Sequence, residues 1–343
     1  MATPDAAVGP GSEGLPAGFP LPSAGVDLSG YRVALLGGDP RERLLLVSLV
    51  QAGAAVIAVG WPAPGTHPFL SGLEALLQAG PGVVTFTSDA REAVRNAQAV
   101  VAPMSNTDAS GRVVAVPDGI TEIFLTEKLL SYFPPGITLY LGQAKPVVRR
   151  AADKARVRIV ELGEVDQIAW ANAVPTAEGA IALAMQNTPI TLRGARSVII
   201  GAGRCGTVLA ADLAGLGAQV TVAARRAAAR ARIAAAVPGC RAVPMEELAA
   251  VLSSADVVFN TVPAPVLPEP LLQRLPPAAV IVDVAAVPGG VDWEAAARLK
   301  RRALFAPGLP GKVAPVTAGR ALAEAVPRLL AEERAGRAEG TKP

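Results

Sequence analysis

The stretch that decides the fold is Val198-Ile199-Ile200-Gly201-Ala202-Gly203-Arg204-Cys205-Gly206, followed by Thr207-Val208-Leu209-Ala210-Ala211-Asp212-Leu213. Val198 to Ile200 is an unbroken apolar, β-branched run, as expected of a strand buried on both faces. Thr207 to Leu213 has helical character, and Gln219-Val220-Thr221-Val222-Ala223 reads as a second strand. Together they form a βαβ unit with a glycine-rich turn after its first strand. In such a turn the first glycine allows the tight bend, the second lets the backbone approach a pyrophosphate, and the third lets helix and strand pack closely. The free N–H groups at the helix start then face the phosphates. Gly201, Gly203, Arg204, Cys205 and Gly206 are therefore candidate cofactor ligands, and the cofactor expected is a nicotinamide dinucleotide. The competing reading is a plain strand–helix turn without a ligand.

No Asp or Glu closes the second strand; Arg225 and Arg226 follow it. An acid there would bond a ribose 2′-hydroxyl and favour NAD, whereas an arginine accommodates a 2′-phosphate, whose geometry suits a guanidinium. The expectation is NADP, with NAD the lesser alternative. Otherwise the two arginines are solvated charges opening the helix that carries Arg230 and Arg232.

Outward from this unit, the chain alternates strand and helix patterns. Arg32 to Leu36, Ala54 to Val59, Ala99 to Ala102, Thr138 to Leu141 and residues 157–161 read as strands of an earlier α/β unit, with helices at Arg41 to Gln51 and Leu125 to Tyr132. Pro175 to Gln186 reads as a linking helix with Thr176 as its N-cap. The later unit adds strands at Val257 to Asn260 and Val280 to Asp283, and a last helix at Ala318 to Leu330. The fold class expected is α/β, with two Rossmann-like doubly wound parallel-sheet domains joined by crossing helices and a cleft between them. The expected organisation is a disordered tail over 1–28 and a substrate domain over 29–165 to which a helix at 316–332 returns. An NADP-binding domain with its linking helix follows over 166–315, and 333–343 is a flexible tail.

Composition narrows the function classes. The chain has 343 residues, is 51% hydrophobic and carries a net charge of +3. That supports large cores, and no basic stripe interleaved with aromatics points to nucleic acid. No uninterrupted apolar run is long enough to span a bilayer. The opening residues lack the basic n-region of a signal peptide, and Cys205 and Cys240 fit neither a metal spacing nor a disulfide framework. No metal is expected, and a reducing cytosol fits.

Ligands of doubly wound sheets bind beyond the carboxyl ends of the strands, so candidate chemistry is sought there. In the first unit Asp39 and Arg41 follow one strand, and Ser105, Asn106 and Thr107 follow another. They suggest a carboxylate pocket, with Arg41 supplying charge and Ser105 and Thr107 hydroxyl donors. The bland alternative makes Asp39 a helix cap and Arg41 a solvated charge. Asn172, Thr176 and Glu178 lie on the linking segment, where capping alone would also explain Thr176 and Glu178. In the second unit Thr261, Val262, Pro263, Asp283 and Ala285 follow two strands and would line the nicotinamide ribose and ring. Lys312 sits in Ala306-Pro307-Gly308-Leu309-Pro310-Gly311-Lys312-Val313-Ala314-Pro315, which reads as a rigid loop and could offer an ammonium to a substrate carboxylate. The single histidine, His67, lies in a Pro/Gly-rich loop. A histidine relay is thus disfavoured, and Lys312, Glu178 and Asp39 are the candidate acid/base groups.

Five strings together resemble one family, the A subunit of dipicolinate synthase from spore-forming bacteria. They are Ala34-Leu35-Leu36-Gly37-Gly38-Asp39 with Arg41, Val174-Pro175-Thr176-Ala177-Glu178-Gly179, the Gly201 to Gly206 loop, Asn260-Thr261-Val262-Pro263, and Ala306 to Pro315 with Thr317-Ala318-Gly319. The glycine loop is generic; the last string and Pro175 to Gly179 are the specific ones. Cys205 departs from the threonine-like residue of the family pattern, and Asn187 stands where a histidine would fit it. The resemblance covers about residues 31–330. It implies oxidation of dihydrodipicolinate to dipicolinate with reduction of NADP. It also implies a partner, the flavoprotein-like B subunit, an oligomer, and the mother-cell cytoplasm of a sporulating bacterium. Aromatisation favours hydride loss, so a strong base is not required. The alternatives are a two-lobed 2-hydroxy acid or amino acid dehydrogenase, and a non-catalytic NADP-binding regulatory subunit.

Overall fold

A computed structural model describes residues 25–63, 65–66 and 73–340. Most of the expected N-terminal tail, His67 and residues 341–343 lie outside them. The described residues divide into two units, the boundaries falling at Ala169/Trp170 and Val313/Ala314.

The first unit contains β1 (Arg32–Leu36), α1 (Glu42–Gln51), β2 (Ala55–Val59), α2 (Glu74–Ala79), β3 (Val83–Thr87), α3 (Ala90–Arg95), β4 (Ala99–Val101), α4 (Glu127–Leu130), β5 (Thr138–Leu141), α5 (Pro146–Ala155) and β6 (Arg158–Glu161). Its sheet has the order β3-β2-β1-β4-β5-β6, and every pairing is parallel. Successive residues of β1 serve opposite faces, as strand geometry requires: Val33 and Leu35 enter one core cluster, Ala34 and Leu36 another. All four are fully buried, which is why the sequence reads as a continuous apolar run rather than an alternating one.

α6 (Asp166–Asn187) leads into the second unit. There follow β7 (Arg196–Ile200), α7 (Arg204–Gly215), β8 (Gln219–Ala223), α8 (Ala227–Ala236), β9 (Arg241–Val243), α9 (Leu248–Leu252), β10 (Val257–Asn260), α10 (Glu269–Arg274), β11 (Val280–Asp283), α11 (Trp293–Arg298), β12 (Arg302–Phe305) and α12 (Leu309–Val313). The sheet order is β12-β11-β10-β7-β8-β9, again all parallel. Val257, Phe259, Val280 and Val282 pack on one face, and Val258 and Ile281 on the other.

α13 (Pro315–Gly340) belongs to the first unit and packs along α1. Every residue of α1 from Glu42 to Val50 is buried. The approach is close at one point, where a Cβ on Gly319 would stand 2.6 Å from the Arg41 carbonyl oxygen. The Ser48 hydroxyl donates to the Ala323 carbonyl at 2.6 Å. The helix extends past Leu330, where the apolar pattern ends, because Glu333 fastens its last turns. The Glu333 carboxylate accepts from the hydroxyls of Thr138 and Tyr140 on β5 and pairs with Arg337. Burial works against its charge, but those donors outweigh it and hold the carboxyl below its ordinary range. A depressed carboxylate pKa contributes stability above the ordinary glutamate range, lost as pH falls through the folded value. Glu333→Ala is expected to cost about 1–3 kcal/mol by leaving buried hydroxyls without an acceptor, and to flatten the acid limb of the stability curve; denaturant titrations between pH 3 and 7 check both.

Besides residues 333–340, expected as a flexible tail but found in α13, two local expectations need correction. The pattern starts a helix at Pro175 capped by Thr176, yet α6 begins at Asp166 and carries Pro175 inside it. Thr176 is therefore not a cap: its hydroxyl donates back to the Asn172 carbonyl at 2.7 Å, the bond a threonine makes inside a helix. The segment read as a rigid loop at Ala306 to Pro315 contains the short helix α12, against which α6 presses at Gly179. A Cβ there would lie 3.2 Å from the Leu309 side chain.

Candidate functional site

In each sheet the strand order reverses once, and the loops leaving the two strands at that point form a crevice. In the second unit those strands are β7 and β10. Gly201 leaves β7 with φ 107°, which an L side chain rarely adopts, and a Cβ on it would sit 2.3 Å from Thr261 Oγ1. A Cβ on Gly206 would sit 2.1 Å from the Gly201 carbonyl oxygen, so the first turn of α7 can approach β7 only without a side chain. Gly203 differs: a Cβ there meets nothing within 4 Å. The space above it is open, just where the first turn of α7 presents its N–H groups. The loop is held from behind. The Thr261 hydroxyl donates to Ile200 O at 3.0 Å, and Arg232 donates to Ala202 O at 2.8 Å. Burial pushes the Cys205 thiol up, against a hydrogen bond with the Thr176 side chain, consistent with a small filler residue.

Arg225 and Arg226 are exposed where β8 runs into α8. Arg230 shapes that turn by donating to the Ala224 and Arg225 carbonyls at 2.8 and 2.7 Å. Asp283 and Asn260 are fully buried. The Asp283 carboxylate accepts from Asn260 Nδ2 at 2.9 Å, Ala285 N at 3.0 Å and Gly290 N at 2.7 Å. The Asn260 side chain in turn donates to Val262 O and accepts from Val262 N, both at 3.0 Å. Asp283 therefore braces the Thr261-Val262-Pro263 turn from within the fold.

In the first unit the reversal lies between β1 and β4. Gly37 leaves β1 with φ 69°, and a Cβ on it would meet the Ala115 carbonyl oxygen at 2.5 Å; Trp61 Nε1 donates to Gly37 O at 2.9 Å. Asp39 and Arg41 follow and pair with each other, Nη2 to Oδ2 at 2.6 Å and Nε to Oδ1 at 3.0 Å. Both are largely buried, with side chains 16% and 7% exposed. Burial opposes the Asp39 charge, but Arg41 outweighs it and holds the carboxyl below its ordinary range. Arg41 is thus committed to Asp39 rather than solvated. After β4, Asn106 takes a left-handed conformation with φ 68°, and its Oδ1 accepts from Gln143 N at 2.6 Å. This turn carries Ser105 and Thr107, whose hydroxyl oxygens are buried without a hydrogen-bond partner among the described residues. Buried hydroxyls are ordinarily satisfied by protein, water or ligand, so these two donors have hydrogen-bonding capacity left for a polar partner.

The remaining candidates are dispersed. Glu178 is exposed on α6 and Lys312 is exposed on α12. Asn172 Oδ1 is buried without a partner among the described residues. Glu178 acts on Asp212, whose carboxyl is raised by burial and then by that neighbouring charge. The residue that the sequence did not single out is Glu42. It opens α1 and is 1% exposed; burial, and then the Asp39 charge, push its carboxyl up to about 8. Its position in a first helical turn looks in sequence like an ordinary response to the helix dipole, and only its burial distinguishes it. Among the described residues no group of His, Cys, Asp and Glu could hold a metal ion, and no helix is long and apolar enough to cross a membrane.

Residues 32–163 match the family model of the N-terminal domain of the dipicolinate synthase A subunit, and residues 182–303 match that of shikimate / quinate 5-dehydrogenase. The A subunit of dipicolinate synthase from Bacillus subtilis (strain 168) is 33% identical over 308 residues, covering 90% of this chain and 98% of the relative. The crystal structure of the A subunit of dipicolinate synthase from Bacillus halodurans is similar with a TM-score of 0.78 at 34% identity, over 89% of this chain and 99% of that one. The crystal structure of the corresponding Bacillus subtilis protein gives a TM-score of 0.77 at 32% identity, over 91% and 99%. With the fold and nearly the whole length shared, the chain belongs to the family of dipicolinate synthase A subunits.

Proposed function

We propose that this chain oxidises dihydrodipicolinate to dipicolinate with NADP as hydride acceptor, together with a second, flavoprotein-like subunit, in the mother cell of a sporulating bacterium. The observation that carries this reading is the near full-length relation to the A subunit of dipicolinate synthase. In this reading the second unit binds the nucleotide. The open space over Gly203 fits a pyrophosphate, the N–H groups of Arg204, Cys205 and Gly206 face it, and Thr261, Val262, Pro263 and Ala285 line the nicotinamide end. When bound, NADP supplies the acceptor for the hydride. Arg225 and Arg226 take the 2′-phosphate.

The first unit binds the substrate dicarboxylate, with the Ser105 and Thr107 hydroxyls as donors. The Arg41–Asp39 pair lies on the facing loop, where Asp39, held ionised, is available to take the proton that accompanies hydride loss. Because the product ring is aromatic, that proton transfer needs only a weak base. Asn172, Thr176, Glu178 and Lys312 complete the set of residues assigned to binding and proton transfer.

The cofactor choice is directly testable. Replacing Arg225 and Arg226 together by alanine is expected to lower the ratio of NADP to NAD affinity at least about tenfold, since each tenfold corresponds to about 1.4 kcal/mol. Fluorescence titration of both nucleotides measures the ratio, and an unchanged value would remove the two arginines from the site.

A further inference from the structure

One bond of Glu42 is ordinary helix capping, a carboxyl in the first turn accepting from the N–H three residues back; its second bond, to a loop 62 residues away, is not. Its two carboxyl oxygens reach different loops. Oε2 accepts from the Asp39 main-chain N–H at 2.8 Å, and Oε1 accepts from the Met104 main-chain N–H at 2.9 Å. Asp39 lies on the loop between β1 and α1, and Met104 on the turn after β4. These are the two walls of the crevice at the reversal of the first sheet. A carboxyl is costly to bury, and it persists in a fold only where its oxygens are satisfied. Here both are used in joining the walls.

We propose that Glu42 is a positioning residue: one buried carboxyl that ties the β1–α1 loop to the turn after β4, and so sets how far the Arg41–Asp39 pair stands from the Ser105 and Thr107 hydroxyls. It does not touch the ligand. The substrate readout below rests on the function proposed above; the clamp itself does not. Three features agree with a clamp. Glu42 is 1% exposed, so its position is not adjustable from solvent. The wall it serves on the β1 side is already restricted, since a Cβ on Gly38 would lie 3.0 Å from Glu42 Cβ and 2.6 Å from the Trp61 ring. The far wall is fixed by the left-handed Asn106 and its bond to Gln143. Glu42, which hydrogen-bonds to both of these stiff loops, then bears directly on the spacing between them.

The test compares the full-length chain with Glu42→Asp, Glu42→Gln and Glu42→Ala. Glu42→Asp keeps a carboxyl but is one methylene short of spanning both N–H groups. Glu42→Gln keeps the length and the acceptor for Met104. Amide hydrogen exchange over residues 37–44 and 102–106 is read first. The expected result is at least tenfold faster exchange at Asp39 and Met104 in the aspartate and alanine variants, with partial rescue by glutamine and unchanged exchange in β7 and β10. Titration with dipicolinate is read second; in the aspartate variant the dissociation constant rises at least tenfold while NADP affinity is unchanged. Wild-type exchange at Asp39 and Met104 in the aspartate and alanine variants would overturn the clamp. Accelerated exchange in a protein whose wild type does not bind dipicolinate would leave the clamp standing and remove the proposed substrate. If the alanine variant does not fold, the aspartate and glutamine variants decide the matter.

Discussion

Gly203→Ala should weaken nucleotide binding about 100-fold without destabilising the protein, whereas Gly206→Ala should both weaken binding and destabilise the fold. The two glycines belong to one loop and one motif, yet their surroundings differ. A Cβ on Gly206 would lie 2.1 Å from the Gly201 carbonyl oxygen, a backbone atom that cannot give way cheaply. Overpacking of that kind costs about 1–3 kcal/mol, and the shift of α7 needed to relieve it moves the N–H groups of its first turn. A Cβ on Gly203 meets nothing within 4 Å, and its φ of −82° suits any L residue. Among the described residues it obstructs nothing, so the test bears on a bound ligand. The expected outcome is an unchanged melting temperature for Gly203→Ala, with NADP affinity reduced about 100-fold, equivalent to about 2.7 kcal/mol. Calorimetric melting and nucleotide titration of the two variants separate the effects. Full NADP affinity in Gly203→Ala would mean that no pyrophosphate rests on this loop.

Substituting Ser105 by alanine and Thr107 by valine should weaken dipicolinate binding by about 100-fold and leave stability equal or higher. The direction follows from their present state. Both hydroxyl oxygens are buried without a hydrogen-bond partner among the described residues, and Thr107 is 5% exposed. Leaving a buried polar group unsatisfied costs about 1–3 kcal/mol, while a hydrogen bond to a charged acceptor contributes about 1.5–3 kcal/mol. If the hydroxyls serve a substrate carboxylate, their removal costs affinity and spares the unliganded fold. If they serve the fold through an ordered water, removal costs stability and spares affinity. Denaturant unfolding and dipicolinate titration of the double variant give opposite patterns for the two cases.

Much of the architecture is legible in the residues because parallel strands buried on both faces leave continuous apolar runs. Val33 to Leu36, Val198 to Ile200, Val257 to Phe259 and Val280 to Val282 are such runs, and all lie in the middle of their sheets. The strands that sequence pattern does not single out, β3, β9 and β12, are sheet edges. Most of their residues are partly or fully exposed, so the apolar signal is diluted. The continuity of α6 through Pro175 is hidden for another reason: proline is a general helix breaker, and only the surrounding fold shows that it is tolerated there.

The candidate sites divide in the same way. The glycine loop is legible because its chemistry is main-chain geometry, which leaves glycines at fixed spacings. Glu42 is not, because its role depends on Met104, sixty-two residues away, and no local pattern records that pairing. The arginine at 41 is visible as a charge, but its commitment to Asp39 emerges only from burial and distance.

The proposed hydride transfer from dihydrodipicolinate to NADP can be measured directly. The purified chain, with and without the proposed flavoprotein-like partner, is given freshly generated dihydrodipicolinate and NADP, and dipicolinate and NADPH are followed by absorbance. One NADPH is expected for each dipicolinate formed, with activity lost in Gly203→Ala. Dipicolinate formed without NADPH, or no NADPH with or without the partner, would contradict the proposed function.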